Sequence, residues 1–225
     1  MNAVREFIDA GWRHRSDGLA CQDRVGQSRR GDIEAIALAD GTGSTDFGAL
    51  GAQTAADTIA DYLTANFDRL YDLEKSRLQY ALIVTIRQAL YVLCGQWNVP
   101  VDELGSTCLA VAVDHGSGRF LCAHLGDGCI AVRQGNGYRI ISYPKNGISG
   151  DYTRLTTSNP AAPHLAVTRG QMADISGFCL LSDGWRKEQG EESGMLCAAI
   201  DALNRGKVER HHIDDLGAVC LGEFL

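Results

Sequence analysis

Four aspartates in this sequence are placed where they could do chemistry. Asp40 (ALADGTGS), Asp127 (HLGDGCI), Asp183 (LLSDGWR) and Asp214 (HHIDDLGAVCL) each stand at the edge of an apolar run of β-type composition, and the first three precede glycine. A carboxylate so placed lies at a strand end, and a glycine beside it lets backbone carbonyls come close to a ligand. Asp-Gly most often marks only a turn, yet a simple surface turn has no need of a long apolar strand before the aspartate. Strand ends from separate parts of a chain can converge on one cleft, where carboxylates repel unless protonated or bridged by cations. Oxygen-only ligands suit Mg2+ or Mn2+ better than zinc. The residues by themselves therefore support a divalent-metal cleft. Rival chemistries lack their parts: there is no Ser/His/Asp arrangement and no Cys-x5-Arg, and DGTGS lacks the Lys-Ser/Thr ending of a phosphate loop. His211 and His212 are adjacent, so on an extended chain they point to opposite sides and make a poor ligand pair.

Elements of the right kind surround these positions. Residues 34–39 (EAIALA) read as a buried strand that ends at Asp40, and Ala52, Ala56, Ile59, Leu63 and Phe67 then recur at helical spacing. A second helix is predicted from the stripe Leu78, Leu82, Ile86, Leu90, Leu93 and Trp97, closed by Pro100. From Thr107 the texture turns to short β-type runs broken by glycine turns: TCLAVAVD, RFLCAHL, CIAVR and YRIIS, which together predict an antiparallel meander. Residues 143–177 are polar, hold three of the four prolines and read mainly as a loop or flap. FCLLS (178–182) predicts a strand, 191–205 a helix and LGAVCLGEF (216–224) a closing strand. Trp185, beside Asp183, is assigned to the core. Strands and helices in this order predict an α+β protein of layered sheets flanked by helices, not a doubly wound sheet.

Composition bounds the partners. At 225 residues, 45% hydrophobic and 22% charged, the chain fits a single domain over 1–225, with no linker, low-complexity tract or repeat to divide it. A net charge of -7 argues against a nucleic-acid or anionic-membrane surface, since both call for clustered Lys and Arg. The first fifteen residues are charged throughout, without the apolar run of a signal peptide, and no run of membrane-span length is evident. A soluble, cytoplasmic protein is expected. The eight cysteines form no CxxC pair and sit mostly in apolar runs, which predicts reduced, buried thiols and no disulfide.

ALADGTGS before a long Ala-rich helix, GSTCLAVAVD followed by HLGDG, then LLSDGW, then DDLGAVCL resemble, in order, the motifs of the metal-dependent protein phosphatases of type 2C, the PPM family. CQDR at 21–24 is similar to the early acidic motif of the bacterial members, so the resemblance spans residues 21–221. It implies a four-layer α-β-β-α sandwich, two antiparallel sheets flanked by helices. It also implies a serine/threonine phosphatase that hydrolyses phosphoprotein monoesters with a metal-activated water. Two Mn2+ or Mg2+ ions are implied. Asp40 bridges both, the Gly41 carbonyl meets one, and Asp183 and Asp214 meet the other. Asp127 joins Asp183 at a weaker third ion, and Asp23 acts from behind the ligands. The implied partners are a phosphorylated protein and a cognate Ser/Thr kinase.

Three positions depart from the family's commonest pattern. Gln22 replaces a Glu, Asp215 follows Asp214 in place of Asn and adds an acidic group beside the cluster, and Gly18 falls where many members hold a phosphate-binding Arg. Arg13, His14, Arg15 or Arg24 is left to meet the phosphate, unless these residues form only a solvated N-terminal loop. Two other functions stay open: a catalytically silent phosphatase-like binding module, and a two-metal hydrolase of small phosphoesters.

Overall fold

Residues whose apolar runs leave no polar face are expected to form strands covered on both sides, and the central strands are of that kind. The computed structural model describes residues 4–143, 153–189, 192–208 and 211–224. In chain order its regular elements are β1 (Arg5–Asp9), α1 (Trp12–Ser16), β2 (Asp23–Arg30), β3 (Ile33–Asp40), α2 (Gly48–Asp72), α3 (Lys75–Trp97), β4 (Cys108–Asp114), β5 (Arg119–Leu125), β6 (Cys129–Gln134), β7 (Gly137–Ser142), β8 (Ala166–Gln171), β9 (Ile175–Leu181), α4 (Gly184–Gln189), α5 (Glu192–Arg205) and β10 (Leu216–Gly222). The strands make two five-stranded sheets, ordered β2-β3-β4-β5-β8 and β1-β10-β9-β6-β7. Every pairing is antiparallel.

Side-chain size decides which face of a strand meets which layer. Along β3, Ala35, Ala37 and Ala39 point to the core shared with α2 and α3, while Ile36 and Leu38 point between the sheets. β4 repeats the rule, with Ala110 and Ala112 toward the helices and Leu109, Val111 and Val113 inward. Small residues on the sheet face Ala52, Ala55, Ala56 and Ala60 of α2, so helix and sheet approach closely. At Gly26 a Cβ would collide with the Ala56 backbone. Between the sheets, large side chains interdigitate and Phe120 meets Phe178 with ring centroids 5.1 Å apart. A third core packs α4 and α5 against the outer face of the second sheet through Trp185, Met195, Leu196 and Ala199. The layers are thus helix, sheet, sheet, helix, the four-layer α+β sandwich expected.

Helix ends follow local rules. At the start of α3 the Glu74 carboxylate accepts from the amides of Ser76 (2.9 Å) and Arg77 (3.3 Å), satisfying otherwise orphaned donors. Asn98 ends it in a left-handed conformation, φ 53°, two residues before Pro100. By length and composition alone α3 could cross a membrane, which the sequence reading did not anticipate. Its stripe of Leu78, Leu82, Ile86 and Leu90 is packed inside the first core.

The structure corrects several expectations. The four runs from Thr107 do not form one meander: β4 and β5 pair in the first sheet, β6 and β7 in the second, and the chain changes sheets at Gly126-Asp127-Gly128. The segment 143–177 is not simply a loop. It carries β8, which pairs with β5, and the start of β9, while 144–152 lie outside the described residues. The pattern of β8, AVTRGQ, is polar because it forms an edge with no fully buried position. β1, β2, α1 and α4 were also not anticipated.

Candidate metal centre

Both sheets present strand ends at the same rim of the sandwich. β3 runs toward it and delivers Asp40, the β5–β6 crossing delivers Asp127, β9 delivers Asp183, and Asp214 precedes β10. Carboxylate oxygens of Asp40, Asp127 and Asp183 lie within 4.8 Å of one another. Together with Gly41 and Asp214 they line a cleft of about 510 Å³. Like charges this close are costly without a counter-ion. The cost shows at Asp40, whose carboxyl is pushed well above the ordinary range by burial first and then by Asp23, Asp183, Asp127 and Asp214. A donor set of carboxylates and backbone carbonyl, without sulfur or imidazole, can hold a hard divalent cation such as Mg2+ or Mn2+.

Asp40 is held by its backbone. Its amide donates to Thr107 Oγ1 at 2.9 Å and its carbonyl accepts from the Thr107 amide at 2.8 Å. The loop that follows is tied to the same stretch: the Thr42 amide and hydroxyl donate to the Gly105 carbonyl at 3.0 and 2.8 Å, and the Thr45 hydroxyl to the Glu103 carbonyl at 2.9 Å. Gly41 and Gly184 adopt no left-handed conformation. They are glycines because a Cβ would collide with the carbonyls of Gly48 and Asp215, so these Asp-Gly pairs mark close backbone packing. Asp127 accepts from the Thr153 hydroxyl at 2.6 Å.

Asp23 opens β2 directly across from Asp40 in the ladder. It is buried. Burial foremost, opposed by a hydrogen bond from Ser182 and reinforced by repulsion from Asp215, Asp183 and Asp214, pushes its carboxyl up to about 8. Asp215 stands beside the cluster, close enough to repel Asp23, but its own oxygens are already engaged. Its oxygens accept from the amides of Gly11 (2.8 Å) and Gln22 (2.5 Å) and lie 2.8 Å from His14 Nδ1. Burial alone would raise the Asp215 carboxyl, and these three bonds outweigh it and hold the group below the ordinary range.

Of the basic residues near the N-terminus, Arg13 and His14 line the cleft. Arg15 does not; it pairs with Asp9 at 3.2 Å. Arg24 donates to the carbonyls of Cys21 and Asp23 in its own segment. These residues belong to α1 and the head of β2, not to a solvated loop. Gln22 donates from its side chain to the Thr45 carbonyl at 3.4 Å, bracing the loop after Asp40. Trp185 is buried, with Nε1 donating to the Gly217 carbonyl at 2.9 Å and its ring 5.9 Å from Phe7. His211 is exposed and His212 buried 3.4 Å from Asp9, so the two do face opposite ways. Thr107 and Thr153 were not anticipated. The only signal for Thr107 was its place one residue before a strand that had to pair with β3.

An acidic, cation-competent rim on a four-layer sandwich defines the class of protein. The chain belongs to the protein phosphatase 2C family, whose profile matches residues 10–218. Its fold is similar to that of a bacterial serine phosphatase bearing an Arg-to-Lys mutation, at TM-score 0.70 and 15% identity over 99% of this chain and 98% of that one. It is also similar to the serine/threonine phosphatase Stp1 from Staphylococcus aureus, at TM-score 0.66 and 16% identity over 99% and 95% of the two chains. The serine/threonine phosphatase of S. agalactiae gives TM-score 0.65 and 15% identity over 99% and 100%. No curated protein sequence matches the chain.

Proposed function

We propose that the protein is a metal-dependent serine/threonine protein phosphatase that hydrolyses phosphoprotein monoesters with water. The observation that carries this reading is the convergence of Asp40, Asp127 and Asp183 oxygens within 4.8 Å at one rim, in a family of phosphatases. In this reading Asp40 and the Gly41 carbonyl hold two Mn2+ or Mg2+ ions, Asp183 and Asp214 complete the set, and Asp127 with Asp183 holds a weaker third. The bound ions supply positive charge for the phosphate and acidify water. Asp23, behind Asp40, holds water in place. Arg13, on the cleft wall, meets the phosphate in the role that Gly18 cannot fill, and His14 stands beside it. Arg15 is set aside, since Asp9 occupies it. The substrate is a cytoplasmic phosphoserine or phosphothreonine protein made by a cognate kinase.

Turnover of a phosphoserine peptide, an aryl phosphate and a nucleotide, each with Mn2+, Mg2+ or EDTA, tests this. Metal-dependent release of phosphate from the peptide is expected. Full activity after exhaustive chelation would exclude the metal reading. Preference for the nucleotide would indicate a small-phosphoester hydrolase, and no turnover at all a silent binding module.

A further inference from the structure

Asp215 fixes the hydrogen on one ring nitrogen of His14. The Gly11 and Gln22 amides that bond its two oxygens can only donate, so both oxygens act as acceptors. His14 Nδ1 lies 2.8 Å from one of them and must carry the hydrogen, which leaves Nε2 as the nitrogen that exchanges a proton. Among the described residues Nε2 has no recorded hydrogen-bond partner. It faces the loop after Asp40, where a Cβ on Gly43 would stand 3.4 Å away. The side chain is 15% exposed and lines the same cleft as Asp40, Asp127, Asp183 and Asp214. A purely structural tether does not need this ring, because the amides of Gly11 and Gln22 already anchor both ends of the α1 segment to Asp215.

We propose that His14 is the proton donor to the leaving oxygen of the phosphoester, with Asp215 as the residue that positions it. The proposal rests on the phosphatase reading above. As water oxygen bonds to phosphorus and gives one proton to solvent, the ester P–O bond breaks and its electron pair goes to the seryl or threonyl oxygen. That oxygen takes the proton from Nε2, and the imidazole regains one from solvent. An aliphatic alkoxide leaves poorly unless protonated, whereas a nitrophenolate leaves well without help. The dyad therefore acts on the natural ester far more than on an activated one.

The test compares His14→Asn and His14→Ala on a phosphoserine peptide and on p-nitrophenyl phosphate, with saturating Mn2+. Asn keeps an N–H near the Nδ1 position and has no atom at Nε2, so it separates proton donation from the tether should the Ala variant fold poorly. In both variants kcat on the peptide should fall about 100-fold, against no more than about threefold on the aryl ester. Equal losses on both esters overturn the assignment and leave the phosphatase reading intact. Absence of wild-type turnover on both esters overturns the two together.

Discussion

Burial and repulsion from four other acidic groups raise the proton affinity of Asp40. It is also the one side chain proposed to touch both main ions. Asp40→Asn should therefore lower turnover on the order of 10³-fold or more, the equivalent of several kcal/mol of lost charge stabilisation. Asp183→Ala and Asp214→Ala should weaken one ion each and recover in part with excess Mn2+, and Asp127→Ala should leave the main ions bound while slowing turnover. Calorimetric Mn2+ titration beside steady-state kinetics checks the series, and wild-type stoichiometry and turnover in Asp40→Asn would remove the bridging assignment. These four aspartates were legible because each stands at the edge of an apolar run. Asp215 was not, because its partners Gly11, His14 and Gln22 are some 190 residues or more away and no local pattern announces them.

At the scale of elements, the site depends on how β3 is tied to β4. Thr107 precedes β4 and clamps both backbone groups of Asp40, so the carboxylate's position comes from the ladder more than from its own loop. Thr107→Val keeps the shape and removes the acceptor for the Asp40 amide. A lost partner of this kind costs about 1–3 kcal/mol, and Mn2+ affinity should fall along with stability. Denaturant unfolding and metal titration of the same variant measure both; undiminished affinity would show that the clamp does not place Asp40. Strands β3, β4, β5, β6, β9 and β10 were readable from period and apolar content. β8 was not, since an edge strand without a fully buried position carries no hydrophobic signature.

For the molecule as a whole, function opposes stability at the rim. Without cations, Asp23 retains its proton up to about 8 in the fold, while an unfolded chain gives it up near the ordinary carboxylate value. The native state then binds more protons than the unfolded state between those values, so the metal-free protein should lose stability as pH rises from about 4 to about 8. Asp23→Asn removes the share of that dependence due to Asp23, leaving the one due to Asp40, and should stabilise the metal-free protein by about 1–2 kcal/mol near pH 8, or roughly 2–8 °C in Tm. Thermal unfolding in EDTA at pH 5.5 and pH 8 checks both statements. A wild-type Tm that rises over this interval would contradict the burial argument.

The sequence by itself determined the class of fold, the two long helices, most of the strands and the four rim aspartates, because hydrophobic period and glycine placement act over a few residues. Only the tertiary structure decided how the strands divide between sheets. Alternation of size shows that a strand has two covered faces, but not which sheet it joins, and the crossing at Gly126-Asp127-Gly128 looks locally like any hairpin turn. The same holds for the basic residues of α1. Arg13, His14 and Arg15 are equivalent in sequence, and what separates them is a distant carboxylate: Asp215 turns His14 toward the cleft, while Asp9 takes Arg15 away from it.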